Sequence, residues 1–360
     1  MASGQLVNIH FDVTHCVLPV TATMGDMGKM TVVTGAAGFI GRNTVAELNR
    51  RGRTDLLLVD DLGTDEKWKN LIGLQYEDLL PIDEFLDRIH SVGAAELPEI
   101  DGIVHLGACS ATTEKDADYL LTNNYGYTRA LCDWSQRNGV RFVYASSAAT
   151  YGDGSLGYDD ADVVTPKLEP LNMYGYSKHM FDLWALRNGW FQNGHPVAGV
   201  KYFNVYGPYE DHKDDMRSVV NKSFGQIREG DGRVRLFRSH RPEYKDGEQM
   251  RDFVYVKDAV DVTLWLLENP RIGGVFNCGT GTSRTWNDLA TAVFSAMGKP
   301  ANIEYIEMPE SLKNKYQHYT EAKPDKLRAA GYSKPFTTLE DGVCEYVKDY
   351  LEPRAKKAGK

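Results

Sequence analysis

Three glycines spaced three residues apart constrain the fold of this chain most strongly. Gly35, Gly38 and Gly41 follow a short apolar segment, 30–34, and precede a helical stretch that extends to about Arg51. In that context the first glycine permits a tight turn, the second lets the backbone approach a pyrophosphate, and the third lets helix and strand pack closely. The amides at the start of the helix then bind phosphate oxygens. The pattern therefore predicts a dinucleotide-binding βαβ unit, although glycines also collect in turns that bind nothing.

Further apolar segments alternate with helical stretches up to about Asn204, and one more apolar segment follows near 274. Strands are predicted at 56–59, 102–106, 141–145 and 274–278, and the longer helices at 116–138 and 174–191. Continuous apolar strands that alternate with helices are typical of a parallel sheet covered on both faces. We therefore expect an α/β fold, a Rossmann-type doubly wound parallel sheet with a smaller, mostly C-terminal α/β substrate lobe.

The chain is expected to divide into four regions. These are an N-terminal extension of unknown role at 1–29, a nucleotide-binding domain at 30–203 with a returning strand near 274–279, a lobe at 204–350 mainly for substrate, and a basic, disordered tail at 351–360. The extension lacks a basic leader and an uninterrupted apolar stretch, so it is not a signal peptide. It is either an appended segment without catalytic meaning or an extra surface strand.

Composition excludes several classes of function. The 360 residues carry 41 Lys and Arg against 50 Asp and Glu, and the basic residues form no block outside the tail, so nucleic acid is not expected as a partner. No apolar run approaches the ~18 residues that a membrane-spanning helix needs. The five cysteines are scattered, which indicates neither a disulfide framework nor a zinc site, and no metal is expected. This cysteine usage is typical of a reducing compartment.

An acidic residue follows the second predicted strand. Asp60 lies 19 residues after Gly41, where a carboxylate accepts hydrogen bonds from the ribose hydroxyls of a bound dinucleotide. Alone it favours NAD, because it would repel a 2′-phosphate, but Lys67 and Arg42 offer charge that would offset the repulsion and admit NADP. Cofactor choice stays open on these grounds.

A tyrosine and a lysine are spaced for proton transfer. Tyr174 and Lys178 lie four residues apart in a predicted helix, hence on one face. An ammonium near the phenol, together with an oxidised nicotinamide, lowers the phenol pKa, so that the phenolate takes a proton from a carbinol while hydride leaves. Ser147, at the end of a predicted strand, supplies a hydroxyl that orients the reacting oxygen.

Several longer runs carry a family resemblance that covers positions 30–350. They are His105-Leu106-Gly107-Ala108-Cys109-Ser110, Ala145-Ser146-Ser147-Ala148-Ala149-Thr150-Tyr151-Gly152, Phe203-Asn204-Val205-Tyr206-Gly207-Pro208, Arg251-Asp252-Phe253-Val254-Tyr255-Val256 and Lys315-Tyr316-Gln317. With the glycine and Tyr-x-x-x-Lys motifs, the chain resembles the extended short-chain dehydrogenase/reductases, the NAD-dependent epimerase/dehydratase family. Within it, the Gly-Ala-Cys-Ser run, Glu210-x-His212-Lys213 and Lys-Tyr-Gln resemble the enzymes that invert C6 of an ADP-linked heptose.

The resemblance implies a reaction and a set of site residues. Bound NADP, or NAD as a possibility, would oxidise C6 of ADP-D-glycero-D-manno-heptose to a transient ketone and reduce it on the other face. Tyr174, Lys178 and Ser147 would be catalytic, with Lys213 as a second acid or base. The cofactor would contact Gly35, Gly38, Phe39, Ile40, Gly41, Asp60, Asp61, Lys67, Leu106, Gly107, Ala108, Cys109, Ser110, Asn123, Lys178 and Val205. The ADP-sugar would contact Asn204, Asp215, Lys222, Leu236, Phe237, Arg238, Ser239, Arg251 and Tyr316.

The sequence departs from the family pattern mainly on the substrate side. Ile82 stands where a second cofactor-contacting lysine is common, Asp215 where a small hydroxyl residue is usual, and Lys222 where histidine is usual. The charged segment 238–249 is longer than the family norm. These departures affect the residues that would select the sugar more than those that would transfer the hydride.

Three other functions are alternatives to epimerisation of the heptose. A UDP-sugar 4-epimerase would share every hydride-transfer residue. A 4,6-dehydratase would place an Asp-Glu pair after Ser147, where this chain has Ala148 and Ala149. A non-catalytic dinucleotide-binding protein would not need the tyrosine and lysine pair. The resemblance further implies a cytoplasmic homo-oligomer, a pentamer.

Overall fold

A computed structural model of the protein describes residues 29–90, 97–313 and 316–358. Within these residues the strands are β1 Met30–Thr34, β2 Leu56–Val59, β3 Asp78–Leu80, β4 Ile100–His105, β5 Arg141–Ser147, β6 Ala198–Tyr202, β7 Asn204–Tyr206, β8 Val234–Phe237, β9 Met250–Tyr255, β10 Gly274–Cys278, β11 Ser283–Thr285 and β12 Ile303–Ile306. The α-helices are α1 Phe39–Arg50, α2 Ile82–His90, α3 Ala117–Leu120, α4 Tyr127–Asn138, α5 Met173–Arg187, α6 Val219–Glu229, α7 Val256–Glu268, α8 Trp286–Ala296, α9 Glu310–Lys313, α10 Asp325–Ala329, α11 Leu339–Glu345 and α12 Glu352–Ala358.

A seven-stranded parallel sheet forms the centre of the molecule. Its strand order is β10-β6-β5-β4-β1-β2-β3, and every neighbouring pair is parallel. Apolar residues of the inner strands are buried on both faces, as in β2, where all four residues are buried. The predicted doubly wound α/β fold is confirmed.

The chain changes direction across the sheet between β1 and β4. The strands β1, β2 and β3 progress towards one edge, whereas β4, β5 and β6 progress towards the other. The carboxyl ends of β1 and β4 therefore diverge into helices on opposite faces and leave a crevice between them. Ligands of open α/β sheets bind at such a switch point.

Two of the predicted helices differ in detail from the prediction. The stretch 116–138 is helical, but it contains a π-helical turn, Leu121–Gly126, between α3 and α4. Helix α5 begins after Asn172, whose side chain accepts a hydrogen bond from the amide of Gly175 (2.8 Å). It ends at Arg187 rather than at 191, because Gly189 adopts a left-handed φ of 69° that an α-helix cannot contain.

A smaller set of elements lies beyond the carboxyl end of the sheet. Strands β11, β9 and β7 form a mixed three-stranded sheet, and β12 pairs with β8 in parallel. Strand β10 belongs instead to the edge of the large sheet, next to β6. The chain from 204 onwards therefore supplies all five strands of the smaller sheets and one strand of the central one.

The predicted disorder of the tail is wrong for 352–358. These residues form α12, which is attached to the body by two arginines: Arg228 donates to the carbonyl of Ala355 (2.7 Å), and Arg354 lies 3.2 Å from the Asp211 carboxylate. The anchoring groups lie more than a hundred positions earlier in the chain, so the local charge pattern alone suggested a solvated end.

Further predictions concern the N-terminal extension, the cysteines, membrane spans and metal sites. The extension predicted at 1–29 lies outside the described residues except for Lys29, which pairs with Glu99. Four cysteines, Cys109, Cys132, Cys278 and Cys344, are free. Among the described residues, no helix is long and apolar enough to cross a membrane, and no cluster of His, Cys, Asp or Glu forms a metal site.

Candidate active site

A cleft of about 790 Å³ opens at the carboxyl ends of β1 and β4. All the residues predicted to be catalytic line it: Ser147, Tyr174, Lys178 and Lys213. So do all those predicted to contact the cofactor, namely Gly35, Gly38, Phe39, Ile40, Gly41, Asp60, Asp61, Lys67, Leu106, Gly107, Ala108, Cys109, Ser110, Asn123, Lys178 and Val205. The fold thus gathers residues from eight segments of the chain into one cleft.

The glycine turn between β1 and α1 has no room for side chains. Gly35 has a φ of 66°, and a Cβ there would lie 2.7 Å from the amide nitrogen of Gly107. A Cβ on Gly41 would lie 2.0 Å from the carbonyl oxygen of Gly35. The turn therefore brings bare backbone to the cleft at the start of a twelve-residue helix, the arrangement that binds a pyrophosphate. The residues present fit a dinucleotide.

Asp60 already has two protein partners. One carboxylate oxygen accepts a hydrogen bond from the amide of Ala37 in the glycine turn (2.8 Å), and the other is 2.9 Å from the ammonium of Lys67. Asp60 is buried and Lys67 is partly buried. The carboxylate therefore braces the turn, and its charge is offset by a lysine at the rim of the cleft. Arg42 lies elsewhere, 3.6 Å from the ring centre of Tyr209, and does not line the cleft.

The neighbouring Asp61 is also engaged. Its carboxylate accepts a hydrogen bond from the amide of Ile82 (3.0 Å), and its carbonyl accepts one from Lys67 (2.6 Å). Ile82 lines the cleft, so the departure noted in the sequence puts an apolar side chain there. Lys67 is consequently the cation that faces this end of the cleft through its contacts with both aspartates.

The segment after β4 is held by an asparagine that sequence analysis missed. The side chain of Asn124 accepts a hydrogen bond from the amide of Cys109 (2.9 Å), donates one to its carbonyl (3.0 Å) and donates another to Ser177 (3.0 Å). Asn124 is buried in the π-helical turn, a feature that often marks functional sites. The available signal was its place beside Asn123 in a helix otherwise suited to apolar packing.

Ser147 and Tyr174 meet at the end of β5. The hydroxyl oxygen of Ser147 accepts a hydrogen bond from the amide of Ala149 (3.1 Å), which leaves its proton free to be donated. Burial raises the pKa of Tyr174, while its hydrogen bond with Ser147 lowers it. The phenol is thus protonated at neutral pH until a nearby positive charge stabilises the phenolate.

Lys178 provides such a charge, although its burial disfavours the cationic form. The side chain is only 5% exposed, and burial lowers its pKa to about 8, against the opposing effects of Asp182 and Cys109. It is therefore cationic at pH 7 and titrates close to the physiological range. The two residues are therefore candidates for a proton-transfer pair, with pKa values shifted mainly by burial.

Lys213 reaches the cleft from a 3₁₀ turn, Asp211–Met216. Its ammonium lies 5.3 Å from the ring centre of Phe39, and burial lowers its pKa, although Glu210 opposes the shift. The adjacent Asp214 has a left-handed φ of 44°, which is strained for a residue with a side chain. Desolvation is what a lysine needs to act as an acid or base near neutral pH.

Glu210 fixes the position of this turn. Its buried carboxylate accepts hydrogen bonds from the amide of Ser218 (2.6 Å), from the hydroxyl of Ser218 and from Tyr346 (3.0 Å). Burial raises the pKa of Glu210, and the Ser218 bonds lower it. The turn that carries Lys213 is therefore tied to the start of α6 and to the C-terminal region.

Most of the residues predicted to contact the sugar nucleotide do not line the cleft. Of the residues predicted to contact the sugar nucleotide, Asn204 lines the cleft. The others lie outside its lining: Asp215, Lys222, Leu236, Phe237, Arg238, Ser239, Arg251 and Tyr316. Two departures from the family pattern meet each other, since the ammonium of Lys222 donates to the backbone carbonyl of Asp215.

Arg251 is buried beside the cleft among aromatic rings. Its guanidinium lies 5.0 Å from the ring centre of Tyr316 and 5.6 Å from that of Trp286, and donates to the carbonyl of Met250 (2.8 Å). Burial lowers its pKa. The described residues show no ion pair to this arginine, so its remaining donors are free for an anionic ligand. Trp286, which lines the cleft, links it to the site and was missed because α8 is remote in sequence.

Comparison with known proteins agrees with this geometry. The model of the NAD-dependent epimerase/dehydratase family matches residues 31–279. A protein of Nitratidesulfovibrio vulgaris (strain DP4) named ADP-L-glycero-D-manno-heptose-6-epimerase is 57% identical over 323 residues, which cover 89% of this chain and 98% of that protein.

Solved structures share the fold. ADP-L-glycero-D-manno-heptose-6-epimerase from Helicobacter pylori superposes with a TM-score of 0.72 at 25% identity, over 91% of this chain and 98% of that one. A UDP-N-acetylglucosamine 4-epimerase from Methanobrevibacter ruminantium M1 gives a TM-score of 0.74 at 23% identity, over 90% and 99% of the two chains. The resemblance seen in the motifs is confirmed, and the chain belongs to the NAD-dependent epimerase/dehydratase family.

Proposed function

We propose that the protein is an NADP-dependent epimerase that inverts C6 of ADP-D-glycero-D-manno-heptose through a transient 6-keto sugar, giving ADP-L-glycero-D-manno-heptose. The name of the 57% identical relative supports the substrate. The observation that carries the proposal is that two desolvated acid/base groups, Tyr174 and Lys213, line the same cleft as the glycine turn. They come from different elements, α5 and the 3₁₀ turn, as an inversion with one group on each side requires.

The glycine turn, Asp60, Lys67 and the segment 106–110 would hold the dinucleotide. A bound dinucleotide would supply the hydride acceptor and, in the second half of the reaction, the hydride donor. Lys67 supports NADP over NAD, because its ammonium offsets the charge of Asp60 that would repel a 2′-phosphate. Gly35 and Gly41 leave the backbone bare for the pyrophosphate.

The chain's own residues would move the hydroxyl proton. Tyr174, as the phenolate stabilised by Lys178, takes the proton of the C6 hydroxyl of one epimer, while Ser147 donates a hydrogen bond to the reacting oxygen. Lys213 in its ammonium form gives a proton to the oxygen of the other epimer. Both groups are partly buried, and burial raises the pKa of Tyr174 and lowers that of Lys213. The reverse direction exchanges the roles of Tyr174 and Lys213.

Arg251 would bind the diphosphate of the sugar nucleotide. A planar guanidinium with free donors suits two phosphate oxygens, and the neighbouring rings of Tyr316 and Trp286 hold it flat. The remaining predicted contacts, Leu236 to Ser239 with Asp215 and Lys222, would lie further along the nucleotide.

The test is whether the purified protein converts the heptose substrate when no cofactor is added. Incubation with ADP-D-glycero-D-manno-heptose should give the L-glycero epimer by chromatography, and denaturation should release NADP identified by mass spectrometry. Run in D₂O, the reaction should leave C6 free of deuterium, because the hydride returns from the cofactor rather than from solvent. Absence of conversion with both NADP and NAD supplied would rule the heptose out, and released NAD would overturn the cofactor assignment.

A UDP-sugar 4-epimerase is the second candidate, favoured by the shared fold of the 4-epimerase from Methanobrevibacter ruminantium. It would convert UDP-glucose or UDP-N-acetylglucosamine to its C4 epimer and ignore the heptose. A protein that binds the dinucleotide but converts neither sugar would be the non-catalytic alternative. The same assay, repeated with both UDP-sugars, separates the three.

The assembly and location that go with this function are a cytoplasmic homo-oligomer, a pentamer. Light scattering coupled to size exclusion should give five times the mass of the chain. We propose no catalytic role for 1–29, and a chain starting at Met30 should keep full activity.

A further inference from the structure

A fully buried ion pair lies beneath the proton-transfer residues. Asp182 of α5 and Lys201 of β6 both have no exposed surface, and their charged atoms are 3.1 Å apart. Neither residue lines the cleft, so neither can touch a ligand there. Two buried charges gain little stability from each other, because removing both from water costs about as much as their attraction returns. The role of the pair is therefore sought in the residues that it holds in place.

The pair forms hydrogen bonds with residues that lie before and after Ser147 in the chain. The carboxylate of Asp182 accepts hydrogen bonds from the hydroxyls of Tyr144 (2.7 Å) and Ser146 (2.8 Å), both in β5. The ammonium of Lys201 donates to the hydroxyl of Thr150 (2.6 Å), in the 3₁₀ turn that follows β5. The end of β5 is therefore tied to α5 through Asp182 and to β6 through Lys201.

The same carboxylate lies one helical turn beyond Lys178. The two residues are four positions apart in α5 and are both buried, so they share a face of the helix. Asp182 acts on Lys178 by its charge, which opposes the effect of burial on the lysine's pKa. Lys201, ion-paired to Asp182, contributes a charge of the opposite sign from β6.

We propose that Asp182, balanced by Lys201, is a positioning residue that fixes Ser147 against Tyr174 and keeps Lys178 cationic. This inference deepens the proposed function and rests on the role given there to Lys178. Other titratable groups around the pair and Lys178 are His105 on β4, Cys109 after it, Tyr144 on β5, Tyr151 in the 3₁₀ turn, and Tyr174 and His179 on α5. Burial keeps His105, His179, Tyr144 and Tyr151 neutral at pH 7, so Asp182 and Lys201 are the charges that vary in the test.

Removing either partner should shift the pKa of Lys178 in opposite directions. Asp182→Asn leaves the charge of Lys201 unbalanced, which disfavours a second cation and lowers the pKa by about one unit. Lys201→Met leaves a carboxylate that keeps its two hydroxyl donors, which raises the pKa by a similar amount. The double variant removes both charges and should return the pKa close to that of the parent.

The measurement is a ¹³C NMR titration of protein labelled at lysine Cε, without cofactor or substrate. The Lys178 resonance should titrate near pH 8, below the exposed lysines near ~10.4, and it is assigned by its disappearance in Lys178→Met. Burial also lowers the pKa of Lys213, so the Lys213 resonance is assigned in the same way with Lys213→Met. Lys257→Met, which removes an exposed lysine of α7 that pairs with Glu345 of α11, is the matched control and should leave the titration unchanged. Opposite shifts in the single variants support the inference, whereas unchanged or parallel shifts overturn it.

Two further readouts make the outcome decisive. If Asp182→Asn does not fold, as shown by thermal unfolding, the upward shift in Lys201→Met alone decides the sign, and Asp182→Glu should restore the parent titration. In the active enzyme, the alkaline limb of the kcat profile should move with the pKa of Lys178, and KM should stay within twofold. The NMR result does not depend on which sugar is converted, so failure of the heptose assay and failure of this inference are distinct outcomes.

Discussion

The cofactor side and the substrate side of the cleft are built in different ways. On the side proposed for the cofactor, the cleft is lined by short continuous runs, such as Gly35 to Gly41 and the segment 106–110, at the ends of adjacent parallel strands. On the substrate side, Lys213 is placed by Glu210 and Ser218, and Arg251 by Tyr316 and Trp286. The first region is set by sheet topology, and the second by contacts between remote side chains.

This difference implies that substitutions on the two sides should act on different quantities. The proton-transfer pair at the sheet edge should control the rate of chemistry, whereas the aromatic and arginine cluster should control binding. The largest expected effect tests the first half of that statement.

Replacing Tyr174 by Phe should lower kcat about 10³-fold, because the variant loses its acid/base hydroxyl while keeping the ring. The cofactor released on denaturation should stay at one per chain, since the glycine turn is untouched. Steady-state rates with the heptose substrate and cofactor analysis measure the two quantities.

Tyr176→Phe is the matched control, because Tyr176 lies on the same helix and is 48% exposed. It should keep the parent rate. Equal losses in both variants would mean that the tyrosines act through the fold of α5, and the assignment of Tyr174 would fail.

Replacing Lys213 by Met should lower kcat about 10²-fold in both directions, since one of the two proton-transfer groups is lost. Burial among Phe39 and Glu210 already lowers the lysine's pKa, so the apolar replacement fits the site. Single-turnover oxidation should be retained for the epimer whose proton goes to Tyr174.

Lys299→Met provides the comparison within the same lobe. Lys299 is exposed, donates to the carbonyl of Ile227 (3.4 Å) and does not line the cleft, so its loss should change kcat less than twofold. If Lys299→Met were the more damaging of the two, Lys213 would not be the second acid or base.

The extent to which sequence predicted the molecule follows the same division. The glycine turn and the Tyr174–Lys178 pair follow from local strand–turn–helix patterns, so the central sheet and the residues that line the cleft at its edge could be predicted without a structure. The burial of Lys213 could not, because it depends on Glu210 accepting from Ser218 and on Phe39, which α1 brings from the start of the fold. The residues next to Lys213 in the chain are mostly charged and give no signal of this packing.

Asp182 and Asn124 show the same limit inside the well-predicted region. Each occurs in a helix where a polar residue ordinarily faces solvent, and each is instead buried against a strand end or loop. Helical periodicity gives the face of a residue on its own helix but not the hydroxyl or amide that meets it. The disorder predicted for 352–358 failed for a related reason, since its anchors lie far away in the chain.

Arg251→Lys should sharpen the contrast by acting on binding. A lysine keeps the charge but cannot give two phosphate oxygens parallel hydrogen bonds, so KM should rise about tenfold while kcat stays near that of the parent. Inhibition by ADP should weaken by the same factor, which isolates the diphosphate contact from the sugar.

Arg235→Lys is the control for this prediction. Arg235 is exposed, pairs with Asp231 at 2.6 Å and does not line the cleft, so the exchange should leave KM unchanged. A fall in kcat for Arg251→Lys, with KM unaltered, would mean that the arginine belongs to the chemical step and would remove the distinction between the two sides.

The smallest expected effect lies in the network that anchors α1 on the cofactor side. Glu47 pairs with Arg50 and Arg51, and Arg51 extends the contact to Asp261 and Glu268 of α7. The hydrogen bond from Arg50 lowers the pKa of Glu47 to about 2, although partial burial opposes the shift. The carboxylate thus stabilises the fold above its unfolded pKa near ~4.3, and this contribution is lost as the pH falls towards 2.

Glu47→Gln should therefore lower the free energy of unfolding by about 1 kcal/mol at pH 7, a value limited by solvent screening of a surface network. The difference between parent and variant in urea unfolding should shrink steadily between pH 4.5 and 2, and Glu66→Gln, in an exposed pair with Lys69, should show almost none of it. Cofactor content should not change, because the glycine turn is braced by Asp60 rather than by this network. A loss of cofactor at unchanged stability would show that the position of α1, and not the turn alone, determines dinucleotide binding.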